Sequence, residues 1–277
     1  MLSSEQATAY ARQLMEARTA SLMLPRPTER SPLTLEEGYR ISQAIIQLRQ
    51  EQGERLVGRK MGFTNRKVWE NYGISAPFWA PLFDSTVRYA QNNQGRQCLE
   101  GAVQPRIEPE IILKLGRTPD PDATIVSIAD CIEWVAAGFE IICCPFADWQ
   151  FSAAEAVAAF GLHGTLIIGE PVMLSEGSRR NLAAVLANTS VSLSCATAEQ
   201  TALRAAGFGS TVLDSPVHAL LELHQLLQED PDWPPLQAGE IIATGTLTAA
   251  LPIAAGETWT TAFAGGLILP GLSVAFV

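Results

Sequence analysis

The spacing of apolar residues changes character near residue 55. Before it, they recur at helical intervals. In LEEGYRISQAIIQLRQEQ, residues 35–52, Ile41, Ile45 and Leu48 stand at i, i+4 and i+7, and Leu35, Tyr39 and Ile46 widen the face. Thr34 and Glu37 form a capping box at its start, and Gly53 stands where such a helix stops. Ser3 and Gln6 form a second box, opening a helix that runs to about residue 19. Between the two, MLPRPTERSP (23–32) carries three prolines and breaks the helical pattern.

After residue 55 the apolar runs are short and bounded by Gly, Pro and Asn, as strands are. The candidates are RLVGRKMGF (55–63), VQPRIEPEIILKLG (103–116), GFEIICC (138–144), GTLIIG (164–169), VSLSCAT (191–197), EIIATGTLT (240–248) and ETWTTAFAG (257–265). Short helices are interspersed. Ser127 is placed to cap IADCIEWVAAG, Ser152 with Glu155 to cap AAEAVAAF, and Ser215 with Pro216 to open PVHALLELHQLL. Strands and helices do not alternate regularly, which argues against a doubly wound parallel sheet. The expectation is an α+β fold: a helical region over 1–54 packed on a mixed, rolled β-domain over 55–277.

With 277 residues and 47% of them hydrophobic, the chain can bury a large core. Its net charge of −10 argues against a nucleic-acid partner, which needs clustered Lys and Arg. The five cysteines include no CxxC, and vicinal Cys143 and Cys144 end an apolar run as small buried thiols do. A reduced, cytoplasmic setting is expected, with no signal-peptide pattern and no apolar run long enough to span a membrane. The three histidines show no zinc spacing, and GxSxG, Walker and GxGxxG patterns are absent. His218 and His224 read as helix-surface residues; His163, just before GTLIIG, either packs there or lines a cleft.

One stretch, QPRIEPEIIL (104–113), sets two acids in an apolar strand. Glu108 and Glu110 are two apart, so both point to one face. Like charges about 4 Å apart repel by roughly 4 kcal/mol at an effective dielectric near 20. A solvated strand face would tolerate the pair. The neighbours Ile107, Ile111, Ile112 and Leu113 suggest instead that the strand enters the core. A third acid, Glu140, sits in the apolar GFEIICC. Buried acids are protonated, paired or metal-bound. Three carboxylates without nitrogen or sulfur ligands favour a hard cation, Mg2+ or Mn2+. Lys60, between Gly58 and Gly62, either snorkels to the surface or binds a substrate carboxylate and moves protons. Asp84 in APLFDST is either a turn aspartate or a general base.

Together GRKMGFT (58–64), LFD (82–84), QPRIEPEI (104–111), FEII (139–142), VLDSP (212–216) and AGEIIATGTLTAALPIAAGE (238–257) resemble the hydratase/decarboxylase branch of the fumarylacetoacetate hydrolase superfamily. The likeness runs in consistent order from the N-terminal helices to the last strand. It implies a mixed β-roll, homo-oligomers, and association with a related hydratase or decarboxylase. It implies Glu108, Glu110 and Glu140 as the metal carboxylates, with Lys60 and Asp84 as catalytic residues. Arg106, Thr244, Gly245 and Thr246 would border the substrate, with His163 as a further polar group there. The implied chemistry is metal-assisted keto–enol chemistry on a small 2-oxo or 2-hydroxydienoic acid. Hydration is favoured over 4-oxalocrotonate-type decarboxylation; acylpyruvate or diketone C–C hydrolysis and a non-catalytic partner subunit are further alternatives. One departure stands out. Where the family carries an Asp-Asn-Ala-Ser-like stretch, this chain reads AFGL, with Ala159, Phe160 and Leu162 in place of polar residues.

Overall fold

The computed structural model describes residues 2–25 and 32–277; most of the proline-rich breaker, residues 26–31, lies outside the described residues. Both predicted N-terminal helices form. Helix α1 (Ser4–Thr19) opens on the Ser3–Gln6 capping box, and α2 (Leu35–Glu51) on the Thr34–Glu37 box. Gly53 follows α2 at a φ of 89°, a conformation in which a side chain would be strained. The strands are β1 (Leu56–Gly62), β2 (Phe78–Phe83), β3 (Val87–Tyr89), β4 (Gln94–Gln97), β5 (Pro105–Leu115), β6 (Ile132–Cys143), β7 (His163–Ile168) and β8 (Val172–Met173). They continue with β9 (Ser190–Ala196), β10 (Thr201–Phe208), β11 (Ile241–Thr246), β12 (Leu251–Pro252), β13 (Thr258–Ala264) and β14 (Ser273–Phe276).

Two mixed sheets result. The larger runs β2-β1-β11-β5-β6-β7-β3, with β12 paired to β5 and β8 to β6; the smaller runs β10-β9-β13-β14-β4. Among the described residues three strand pairs are parallel: β1 with β11, β3 with β7, and β4 with β14. Ile107, Phe139 and Ile141 pack against Leu193, Trp259 and Val274 of the smaller sheet. The helix Pro216–Glu229 covers Ile111, Leu113 and Leu115 through Leu220 and Leu223. Helices α1 and α2 pack with Ala156, Val157, Phe160 and Leu162 in another apolar cluster.

One predicted helix is not formed as expected. IADCIEWVAAG is not one helix: a short helix, Ile125–Asp130, is capped by Thr124, and the chain then turns directly into β6. Ser127 closes that capping box as its third residue instead of opening a helix. The reason is tertiary. Strand β5 pairs with β6 from Pro105 opposite Cys143 to Leu115 opposite Ile132. A helix over 132–138 would strip half of that ladder from the sheet centre, and Ile132, Trp134 and Val135 suit a strand. Strands β2, β3, β4, β8, β10, β12 and β14 were not foreseen. In β2, FWAPLF, Pro81 is tolerated because the strand lies at the sheet's edge.

Candidate metal and active site

The long β5–β6 ladder brings the acids together. Its register sets Glu140 directly opposite Glu108, and Glu110 opposite Gly138. On the same face, Ile112 and Ala136 pack with Leu82 and Leu166, so the acids continue an apolar surface. Glu110 and Glu140 are wholly buried, and Glu108 is part-buried; one oxygen from each lies within 4.8 Å of the others.

Each fully buried acid has one oxygen in a hydrogen bond with the protein and one outside any hydrogen bond. Glu110 Oε2 accepts the backbone N–H of Gly245 at 3.0 Å, whereas Oε1 has no hydrogen-bond partner. Glu140 Oε1 lies 2.7 Å from His163 Nδ1. Its Oε2 is 3.0 Å from Lys60 Nζ, close enough for an ion pair but without hydrogen-bond alignment. Orphaned buried oxygens are costly and uncommon in folded proteins. With one oxygen of each of the three acids within 4.8 Å of the others, the carboxylates form a donor set that fits a hard, oxygen-seeking divalent cation.

Local backbone geometry holds these groups. Between Ala243 and Thr246 the β11–β5 register shifts, and Gly245 at that bulge has a φ of 107°. The kink aims its N–H at Glu110. A Cβ at Gly245 would stand 2.0 Å from Thr64 Oγ1. Gly245→Ala should therefore strain the bulge and displace Glu110. The expected outcome is a lower melting temperature together with weaker Mn2+ binding, read by thermal unfolding and calorimetry.

Lys60 is 3% exposed on β1, between Ala243 of β11 and Ala80 of β2. Its ammonium donates to Gly161 O at 2.9 Å and lies 5.9 Å from the Phe78 ring centre. Burial alone would push its pKa down, but Glu140, Glu108 and Glu110 outweigh burial and raise it. Lys60 is thus charged. Burial pushes Glu108 up to about 7 against the pull of Lys60, and raises Glu110 well above the ordinary range with help from both other acids. For Glu140 burial also acts upward, yet Lys60 and His163 prevail and lower it. Burial lowers His163, so its ring is neutral.

These directions predict linkage between protons and metal. A cation must displace the protons that burial holds on Glu108 and Glu110. Metal uptake below pH 7 should release protons, and affinity should climb as pH rises toward 7. Calorimetry in buffers of different ionisation enthalpy measures that release directly; proton-neutral binding at pH 6 would contradict it.

The structure places the other candidate residues unevenly. Arg106 stands close enough to Glu108 to lower its pKa and stacks on Trp149 at 3.9 Å from the ring centre, with no acid partner among the described residues. Thr244 is buried and donates to Ile111 O at 2.7 Å; Thr246, opposite Glu110, donates to Thr248 O. Two residues depart from expectation. Asp84 accepts the backbone N–H and Nε of Arg55 at 3.0 and 2.9 Å, beyond the far end of β2. It lies four residues past Ala80, the cross-strand partner of Lys60, or roughly 13 Å along the strand. It is a turn residue there, because its ion pair fixes the passage from α2 into β1. His163 lies behind Glu140 instead of lining an opening, since both ring nitrogens are engaged, with Glu140 and with Thr86.

Sequence reasoning missed Trp149, Phe78, Thr86 and the carbonyl of Gly161. The last had a signal in the departure at AFGL, where Phe160, Gly161 and Leu162 all carry φ near 60°. That left-handed run turns the Gly161 carbonyl onto Lys60.

A curled mixed sheet whose inner face carries three acids and a buried lysine defines an oxygen-ligand metal site of an α+β enzyme class. No family model matches the chain. Among characterised proteins, the 2-hydroxyhexa-2,4-dienoate hydratase of Comamonas testosteroni is 30% identical over 241 residues, covering 87% of this chain and 86% of the relative. A 4-oxalocrotonate decarboxylase of a Pseudomonas species is 28% identical over 249 residues, covering 89% and 90%. The solved structure of 4-oxalocrotonate decarboxylase from Pseudomonas putida G7, complexed with magnesium and adipate, matches with a TM-score of 0.88 at 24% identity, across 100% of this chain and 99% of that one. The chain belongs to the family of the 2-hydroxydienoate hydratases, to which the 4-oxalocrotonate decarboxylases are similar.

Proposed function

We propose that the protein is a metal-dependent lyase that hydrates 2-hydroxy-2,4-dienoates, or their 2-oxo-4-enoate tautomers, with Mg2+ or Mn2+ held by Glu108, Glu110 and Glu140. Three carboxylates that each bring one oxygen within 4.8 Å of the others, beside a charged buried lysine, carry the reading. When bound, the cation supplies Lewis-acid polarisation of a 2-oxo group.

The chain's own residues supply the rest. Arg106, a cation without an acid partner among the described residues, is placed to bind the substrate carboxylate. Lys60 Nζ, fixed by Glu140 and Gly161 O, carries the proton that ketonisation of the dienol moves onto carbon. Phe63 and Phe78, edge to face at 5.2 Å, keep the ammonium in an apolar wall. Water then adds across the remaining double bond. Cytoplasmic homo-oligomers accompany this reading, checked by light scattering on the purified protein.

The test is a purified sample with Mg2+ or Mn2+ and 2-hydroxypenta-2,4-dienoate, followed by loss of its ultraviolet absorbance. Decarboxylation of 4-oxalocrotonate is the second reading: the Arg106 guanidinium, without an acid partner among the described residues, could take that substrate's second carboxylate. Release of CO2 from 4-oxalocrotonate without dienoate turnover would select it. Turnover of neither substrate, nor of an acylpyruvate, would leave a metal-holding partner subunit.

A further inference from the structure

The support behind Glu140 is a chain of single-proton decisions. Glu140 Oε1 lies 2.7 Å from His163 Nδ1, and His163 Nε2 lies 3.0 Å from Thr86 Oγ1. The Thr86 hydroxyl also stands 3.0 Å from Phe83 O. That carbonyl already accepts the Thr86 backbone N–H. A hydroxyl has one proton to give. If it went to Phe83, the ring proton would sit on Nε2. A neutral ring would then turn a lone pair on Nδ1 toward the carboxylate. If the hydroxyl gives its proton to Nε2, the ring carries its own on Nδ1 and donates it to Glu140. The second arrangement gives up the bond to Phe83 O, which keeps the Thr86 backbone N–H, and spares the buried carboxylate a lone pair facing it.

The relay is anchored at both ends. Thr86 belongs to the turn between β2 and β3, where Ser85 is bonded to Glu54 and to Arg49 of α2. From the other side, Arg18 of α1 donates to the carbonyls of His163 and Gly164 at 2.5 and 3.0 Å. Its guanidinium also stacks on Phe160 at 4.7 Å. Both N-terminal helices therefore brace the residue that braces Glu140.

We propose that His163, oriented by Thr86, is the positioning residue of the metal site: it occupies Oε1 of Glu140, blocks rotation of that carboxylate, and so commits Oε2 to the cation. This rests on the metal reading above. A ligating carboxylate held by an outer partner loses on the order of ten- to a hundredfold in metal affinity when that partner is removed.

The experiment titrates metal-free protein with Mn2+ by calorimetry, with the paramagnetic resonance of bound Mn2+ recorded alongside. His163→Ala should bind Mn2+ about ten- to a hundredfold more weakly and alter the bound-metal spectrum. Thr86→Val should weaken binding in the same direction, and Thr86→Ser, which keeps the hydroxyl, should restore it. The double variant His163→Ala/Thr86→Val should bind no more weakly than His163→Ala, because residues in one relay are not additive. Thr86→Val also serves where His163→Ala does not fold. Wild-type affinity in either foldable variant, no rescue by serine, or additive losses would overturn the proposal alone. Wild-type protein that binds no Mn2+ would overturn the metal reading as well.

Discussion

Replacing Glu108 by glutamine is expected to remove metal binding while leaving the fold intact, and to make the metal-free protein more stable at alkaline pH. The carboxyl of Glu108 is raised to about 7 by burial, with its direct cross-strand neighbour Glu140 adding repulsion. A group whose folded pKa lies above its unfolded value favours folding at low pH. That contribution fades as pH rises through the ordinary carboxylate range and is gone above about 7. Glutamine has the same shape and no charge to lose. At pH 8 metal-free Glu108→Gln should therefore exceed wild type by about 1–3 kcal/mol, and at pH 4 the two should coincide. Its Mn2+ affinity should fall by more than the roughly hundredfold seen for outer-shell partners, with turnover lost. Denaturant titrations at the two pH values and calorimetry test both halves. A variant less stable than wild type at pH 8, with metal affinity unchanged, would remove Glu108 from the site.

Lys60→Met should act in the opposite sense on the metal-free protein. Lys60 and Glu140 are both buried and 3.0 Å apart. Removing one partner of such a pair leaves the other charge uncompensated, typically at a cost of about 3–5 kcal/mol. The cation should recover part of this loss, because it supplies positive charge beside Glu140. The metal-induced rise in melting temperature should thus be larger in Lys60→Met than in wild type. Turnover should fall by about 10²–10⁴, the usual range for a lost proton-transfer group. Wild-type kinetics, or a metal-induced rise no larger than in wild type, would confine Lys60 to packing.

These two substitutions separate what the site costs from what it does. On the proposed reading, Glu108 and Glu110 make the empty fold less stable and the loaded one functional, as expected where activity is maintained against stability. On the same reading Lys60 reduces that cost, and His163 is proposed to set where one carboxylate points. Asp84, which the family resemblance places in the active site, serves the turn that carries Ser85 and Thr86.

What was legible in the sequence follows from interaction range. Capping boxes join residues three apart, so the starts of α1 and α2 could be read directly. A strand's alternation is equally local, so the shared face of Glu108 and Glu110 followed from their spacing alone. The chain alone also announced a buried acid pair in search of positive charge. It did not decide what answered them. Whether residues 132–138 form helix or strand depended on the β5 ladder. The hydrogen bonds that build the site join Glu140 to His163 across 23 residues, Thr86 to His163 across 77, Lys60 to Gly161 across 101 and Glu110 to Gly245 across 135. Two of these contacts are made by backbone atoms, which leave no trace in residue identity. Local chemistry chose the acids, and the packing of distant segments chose the partners of their oxygens.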